Sequence, residues 1–316
     1  MQPIFLEPVY KDYIWGGTKL KEKLGKTSPY DKTAESWEIS ANKNGITNIK
    51  NGEYVRKGLD ELFLNKSIKT QIFGKKCENL ERFPTLIKFI DAKDNLSIQV
   101  HPNDEYAKTV ENDIGKSEMW YIIDCEENSK IVCGLNDKAR NKSTEEILKN
   151  ANIEEYLNYV SVKRGDSIYI PSGTLHAILS NILICEIQQN SDLTYRVYDW
   201  NRVDKDGKSR QLHIEKAIDV INTKNNFKIK HTKEDIDGLQ NVIKSEYFCV
   251  DKLIVSEDKP FISYSNPNSF IAVNIIDGKG SVNEIEIKKG NSFIIPANMG
   301  KYEIRGNIKA LISYIN

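Results

Sequence analysis

The sequence predicts a mainly β protein, a sandwich or barrel with a few inserted helices, and two observations carry that reading. Short runs rich in β-branched and aromatic residues recur between Gly, Asn, Asp and Pro, the pattern of strands joined by tight turns. One such run occurs twice, together with the turn that leads into it. Val162-Lys163-Arg164-Gly165-Asp166-Ser167-Ile168-Tyr169-Ile170-Pro171 resembles Ile287-Lys288-Lys289-Gly290-Asn291-Ser292-Phe293-Ile294-Ile295-Pro296. Upstream, Trp120-Tyr121-Ile122-Ile123-Asp124 resembles Val273-Asn274-Ile275-Ile276-Asp277. The two halves read as diverged copies of one β unit.

Strands are expected over 83–90, 96–101, 119–124, 131–134, 167–170, 176–187, 270–276 and 292–295. Helical patterns are fewer: 59–64, 104–112, 144–159 and 214–221. In 144–159, Ser143 is the expected cap, and Leu148, Ile153, Tyr156 and Leu157 form an apolar stripe. The first copy carries this helical insertion between its two motifs, whereas the second closes with a short turn. The stretch from 221 to 247 is polar and charge-rich. The expected division is therefore 1–235, with N-terminal strands and helical insertions, and 236–316.

Composition narrows the function. The 316 residues suffice for a sizeable core, and 39% of them are apolar, as in globular proteins. Lys and Arg total 45, as do Asp and Glu. The balance gives no electrostatic case for nucleic acid or an anionic membrane, so an anionic substrate would need a local basic pocket. The N-terminus lacks a basic segment followed by an apolar core, and no apolar run approaches membrane-spanning length. The five cysteines form no Cys-x-x-Cys spacing, so reduced thiols and a cytoplasmic location are expected.

The most informative segment is Leu96-Ser97-Ile98-Gln99-Val100-His101-Pro102. On a strand, Gln99 and His101 share one face and Ile98 and Val100 the other. A cation would satisfy both polar groups; a structural hydrogen-bonding His would fit as well. Glu118 begins an apolar run, and His176 follows the Gly-Asp…Pro turn. Imidazole, carboxylate and amide oxygen together suit a divalent cation. The other histidines, His213 and His231, lie in helical or polar contexts and read as solvated or capping. Glu186 is a carboxylate inside the apolar run 184–187. Burial would raise its pKa toward the acid/base range, though a structural ion pair is the other reading. Trp15 and Trp37 read as core aromatics.

Gly165-Asp166…Pro171-Ser172-Gly173-Thr174-x-His176 resembles the second cupin motif. Gln99-Val100-His101-Pro102, Glu118-Met119 and His176 together resemble the metal site of type I mannose-6-phosphate isomerases, in their short bacterial form. The likeness covers nearly the whole chain. It includes Tyr13-Ile14-Trp15-Gly16-Gly17, Ala34-Glu35-Ser36-Trp37-Glu38, His101-Pro102-Asn103-Asp104-Glu105-Tyr106-Ala107 and Ser191-Asp192-Leu193-Thr194-Tyr195-Arg196-Val197. The resemblance implies a tandem cupin, that is, a jelly-roll β-barrel followed by a degenerate second one. It implies one zinc per chain, held by Gln99, His101, Glu118 and His176. Aligning the two copies puts Ile271 at the position of Glu118 and Lys301 at that of His176, so the second unit is expected to bind no metal. Longer family members have Lys-Pro-Glu-Met where this chain has Lys116-Ser117-Glu118-Met119, and Asn where it has Leu193.

The implied reaction is aldose–ketose isomerisation of mannose 6-phosphate and fructose 6-phosphate through a metal-stabilised cis-enediol. Such a site needs a Lewis acid, a base within reach of the migrating proton, and cations for the phosphate. By resemblance Arg196 is the active-site arginine; a surface Arg paired with Asp192 is the other reading. Lys116 shares the face of Glu118 on a strand and could reach the phosphate or a sugar oxygen. Glu35, Trp15 and Asp192 are expected to line the pocket, and Glu186 is a candidate acid/base. The sequence does not decide which group is the base. The expected partner is a phosphorylated hexose, and the assembly a monomer or weak homodimer. Two alternatives stay open: another metal-dependent cupin enzyme, such as an iron oxygenase, and a non-catalytic sugar-phosphate-binding cupin. Cupin iron sites usually present His-x-His, where this chain has Gln99-x-His101.

Overall fold

Alternation along each strand decides which layer its side chains join. The computed structural model describes residues 1–203, 206–224, 227–233 and 236–316. Its first unit is a jelly roll of two facing antiparallel sheets. One has seven strands, in the order Ile229–His231, Asp166–Ile170, Glu118–Cys125, Ile182–Gln189, Thr85–Ala92, Glu35–Ile39 and Val9–Lys11. The other has five: Leu157–Ser161, Lys130–Leu135, His176–Ile178, Ile98–Val100 and Tyr195–Tyr198. Between them lies an inner core that includes Ile90, Trp120, Ile122, Ile184, Ile131 and Ile178. Residues one step along the same strands face outward. Ile98, Val100, Val132 and Val197 pack under the helix Ile214–Val220 with Ala217.

The outward residues of the seven-stranded sheet are equally apolar. Ile87, Phe89, Met119, Tyr121, Cys185 and Ile187 share a core with Phe248, Val250, Phe270, Ile294 and Leu311 of the second unit. This sheet is thus covered on both faces, and Thr85–Ala92 and Ile182–Gln189 are buried at every position. Double coverage explains why these strands read as continuous apolar runs rather than alternating ones.

The second unit is a nine-stranded sheet enclosing its own core, which includes Leu253, Val273, Ile275, Phe293, Ile304 and Ile312. The repeat is visible in the hydrogen-bond register. Trp120 pairs with Ile168 and Glu118 with Ile170; at the equivalent places Val273 pairs with Phe293 and Ile271 with Ile295. Ile271 therefore occupies the structural position of Glu118. Lys301 heads the strand Lys301–Tyr314 and is exposed.

Two features differ from the sequence expectation or extend it. The helix expected over 144–159 stops at Leu148. Ser143 does cap it, with Glu146 closing the reciprocal bond. The side chain of Asn150 then accepts a bond from the Asn152 N–H, a local turn that competes with the helix. Ile153–Tyr156 continues as a 3-10 turn, and Tyr159 and Val160 pair with Val132 and Ile131 as a strand. Second, the strand Ile4–Glu7 joins the second unit's sheet, pairing Ile4 with Ile294 and Phe5 with Phe293. Its apolar residues point both ways, Ile4 and Leu6 into one core and Phe5 toward the other. Only a position between the two units buries both sets. The expected junction at 235/236 begins in residues 234–235, outside the described residues.

Candidate metal centre

Gln99 and His101 leave the five-stranded sheet on one face, as their spacing requires, while Ile98 and Val100 are fully buried on the other. His176 pairs directly with Gln99 on the neighbouring strand. Glu118 comes from the facing sheet. His101 Nε2 lies 3.4 Å from Glu118 Oε2, and His176 Nε2 lies 3.2 Å from Glu118 Oε1. One donor atom from each of the three residues fits within 4.8 Å of the others. Gln99 reaches the group through its amide nitrogen as placed, 3.4 Å from His176 Nε2; turning the amide over presents its oxygen instead.

Protonation favours a cation here. His176 Nδ1 is 2.8 Å from the Thr174 carbonyl, which can only accept, so Nδ1 carries a proton and Nε2 is the atom turned to Glu118. Burial, reinforced by the charge of Lys116, pushes His101 down to about 3, so that ring is neutral. Burial opposes charge on Glu118, yet the neighbouring Lys116 ammonium holds its carboxyl well below the usual range. Both nitrogens of His101 and both oxygens of Glu118 are buried without a hydrogen-bond partner. Where the neutral His101 ring turns the Nε2 lone pair to Glu118 Oε2, the two repel unless a cation lies between. The donor set is imidazole, imidazole, carboxylate and amide, and it fits a divalent metal.

This cluster lies behind Gln99 and Lys116 on the wall of a cavity of about 510 Å³. Every other site residue expected from sequence lines the same cavity: Trp15, Glu35, Glu186, Asp192 and Arg196. Lys116 Nζ lies 3.2 Å from Glu118 Oε2, which puts it at the metal end. Arg196 does not pair with Asp192, which accepts a bond from Asn44 instead. Arg196 stands opposite Gln99 in the register, and its Nε and Nη1 donate to Ser97 Oγ and the Gln211 carbonyl. Trp15 serves both the core and the cavity wall.

A row of polar residues crosses the inner face of the seven-stranded sheet, with Trp37 opposite Lys88, Lys88 opposite Glu186, and Glu186 opposite Trp120. Lys88 Nζ is 3.2 Å from Glu186 Oε1 and 3.8 Å from Glu35 Oε2, while Trp120 Nε1 donates to Glu186 Oε2 at 2.8 Å. Burial and the nearby Glu118 raise the pKa of Glu186. Burial alone would lower Lys88, but Glu35 and Glu186 together raise it. The sequence reading missed Lys88, although a single Lys in a buried strand facing the single Glu of its neighbour is a legible signal. It also missed Arg210 and His213 on the cavity wall. His213 was expected to be solvated or capping; it does stand at the N-cap of the helix Ile214–Val220, but its ring makes no capping bond and its Nδ1 accepts the Arg196 backbone N–H at 3.2 Å.

Known proteins match this arrangement end to end. A family profile described as phosphomannose isomerase type I, catalytic domain, matches residues 4–127, and one described as mannose-6-phosphate isomerase, cupin domain, matches residues 239–315. The probable mannose-6-phosphate isomerase GmuF of Bacillus subtilis (strain 168) is 39% identical over 321 residues, 99% of each chain. The chain belongs to the mannose-6-phosphate isomerase family. A crystal structure of the mannose 6-phosphate isomerase from Bacillus subtilis superposes with a TM-score of 0.89 at 37% identity, covering 99% of both chains. A mannose 6-phosphate isomerase bound with zinc and yttrium shares the family's fold at a TM-score of 0.80 and 16% identity, over the whole of both chains. No helix among the described residues is long and apolar enough to cross a membrane.

Proposed function

We propose that this chain interconverts mannose 6-phosphate and fructose 6-phosphate, using zinc held by Gln99, His101, Glu118 and His176. The observation that carries the reading is the buried donor set, in which His101 and Glu118 lack hydrogen-bond partners, at the wall of a charged cavity in a member of this family. Bound there, zinc supplies a Lewis acid for the negative charge that develops on the sugar oxygens.

The chain's own groups divide the remaining work. The two imidazoles and the carboxylate hold the metal end rigid from two facing sheets. Lys116, against Glu118, donates to a sugar oxygen at that end. Arg196, beside Gln99, stabilises charge as the enediol forms. Glu186, made more basic by burial and held by Lys88 and Trp120, takes the proton from carbon 2 and returns it to carbon 1. Trp15, Glu35 and Asp192 form walls that orient the hydroxyls. The second unit binds no metal, because Ile271 has no donor. The enzyme works in the cytoplasm as a monomer or weak homodimer.

A coupled isomerase assay on purified protein tests the proposal. Chelation abolishes turnover and zinc restores it. Full turnover by protein shown to be metal-free, or none by zinc-loaded protein, overturns the reading.

A further inference from the structure

We propose that Arg210, clamped by Asp199, is the phosphate anchor of this cavity. The proposal rests on a sugar-phosphate substrate, and it begins with a mismatch. Lys116 is occupied at the metal end, where carbons 1 and 2 of the substrate must lie. The phosphate on carbon 6 is four carbons from the reacting pair, so it meets a different part of the wall. Lys88 is buried between Glu35 and Glu186 and is equally committed.

The cavity's remaining cations come from one place. Arg196 lies on the edge strand Tyr195–Tyr198 of the five-stranded sheet, and Arg210 and His213 lie in the segment that follows it. Asp199, itself nearly buried, organises this segment. It accepts Arg210 Nε at 2.8 Å and Arg210 Nη2 at 2.5 Å, and also Arg202 Nη2 at 2.5 Å. Arg202 spends its other donors on the carbonyls of Asn95 and Asp199 and does not line the cavity. Arg210 spends two of its five N–H groups on Asp199, so three remain for the cavity. Its side chain keeps 29% exposure, against 7% for the aspartate that holds it.

Charge is left over here. Among the described residues, Arg202 and Arg210 share the Asp199 carboxylate, while the bonds of the Arg196 guanidinium go to neutral oxygens of Ser97 and Gln211. Burial, and then the charge of Arg210, push the pKa of Arg196 down, so the two guanidiniums are near enough to repel. A phosphate monoester carries about two negative charges at neutral pH and accepts guanidinium N–H groups through a planar fork. It would relieve the repulsion that Asp199 leaves uncompensated. Asp199 is a positioning residue in this arrangement, because it fixes the plane of Arg210 without touching the ligand.

The test is calorimetric titration of inorganic phosphate into wild type and R210Q, alongside kinetics with mannose 6-phosphate. Losing a charge-assisted contact should weaken phosphate binding by about 10-fold or more, and the loss in turnover should appear in KM rather than kcat. Asp199→Asn, which loosens the clamp, should fall between wild type and R210Q. If R210Q melts early, Arg210→Lys keeps the charge without the fork and should show the same loss by a smaller factor. Unchanged phosphate affinity in a folded Arg210 variant overturns the proposal, as does a loss confined to kcat. Wild type that binds phosphate through Arg210 but turns over no mannose 6-phosphate would refute the isomerase reading and leave the anion site standing.

Discussion

Replacing Glu38 with Ala should cost the fold several kcal/mol, because Glu38 neutralises a cation that has no access to water. The strand Glu35–Ile39 presents Glu35 and Trp37 to the cavity, and Ser36 and Glu38 to the opposite side. There Lys26 Nζ lies 2.6 Å from Glu38 Oε1, with side-chain exposures of 6% and 2%. Ser36 donates to the same oxygen, Ser292 of the second unit donates to Oε2 at 2.8 Å, and Asn274 donates to Ser292 at 2.8 Å. Burial already lowers the pKa of Lys26, and Glu38 is what opposes that shift. Without Glu38, the lysine keeps the Gly290 carbonyl and the face of the Phe89 ring, neither of which neutralises it. Breaking a buried pair from one side costs about 3–5 kcal/mol. Replacing both partners with apolar residues, Lys26→Met with Glu38→Leu, removes the stranded charge. The two serine hydroxyls then lose an acceptor and the Gly290 carbonyl its donor, at about 1 kcal/mol each. Urea unfolding of the two variants and wild type measures the contrast. If E38A lost less than about 1 kcal/mol, or the double variant were the less stable of the two, the charge-stranding argument behind these figures would fail.

His101→Ala should strip the metal, and elemental analysis of the purified variant reads the result directly. Arg196→Ala should lower kcat by about 100-fold, the scale of losing one donor to developing charge, as measured in the coupled assay. Asp91 offers a pH test: burial raises its pKa to about 6 from an ordinary carboxylate value, although it accepts the Lys19 N–H at 2.7 Å. A raised carboxyl pKa favours the fold below the unfolded value, and that contribution disappears as pH climbs through about 6. Asp91→Asn has no such proton to lose. The stability of D91N relative to wild type should therefore rise by about 2 kcal/mol between pH 4 and pH 7, in denaturant melts at each pH.

The parts of the site that could be read from sequence are those that sit on regular strands. Gln99, His101 and Glu118 were legible because polar residues at strand spacing interrupt otherwise apolar runs, and the repeat was legible because Gly165 and Gly290 open the same turn. Lys88 carried the same kind of signal but needed a partner strand to give it meaning. Arg210 and His213 lie in a polar segment without periodicity, where nothing local points to the cavity. The break after Leu148 turns on one asparagine side chain, and an apolar stripe through 144–159 conceals it. The position of Ile4–Glu7 depends on a partner almost the whole chain away, which no local pattern encodes.

That last pairing constrains the order of folding. Strand Ile4–Glu7 belongs between Ser292–Ile295 and Asn48–Ile49, so the earliest strand in the sequence closes only when one of the latest has formed. Closing so long a loop carries a large entropic cost before any contact repays it. Until then, the outer face of the seven-stranded sheet, with Phe89, Met119 and Ile187, has no cover from Phe270, Ile294 and Leu311. A growing chain would carry this adhesive surface until the second unit is made, and the outer face of the jelly roll could not be covered ahead of the rest. Collapse onto a neighbouring chain is then the main competitor of native closure. Slow, chaperone-sensitive maturation follows from where one four-residue strand docks.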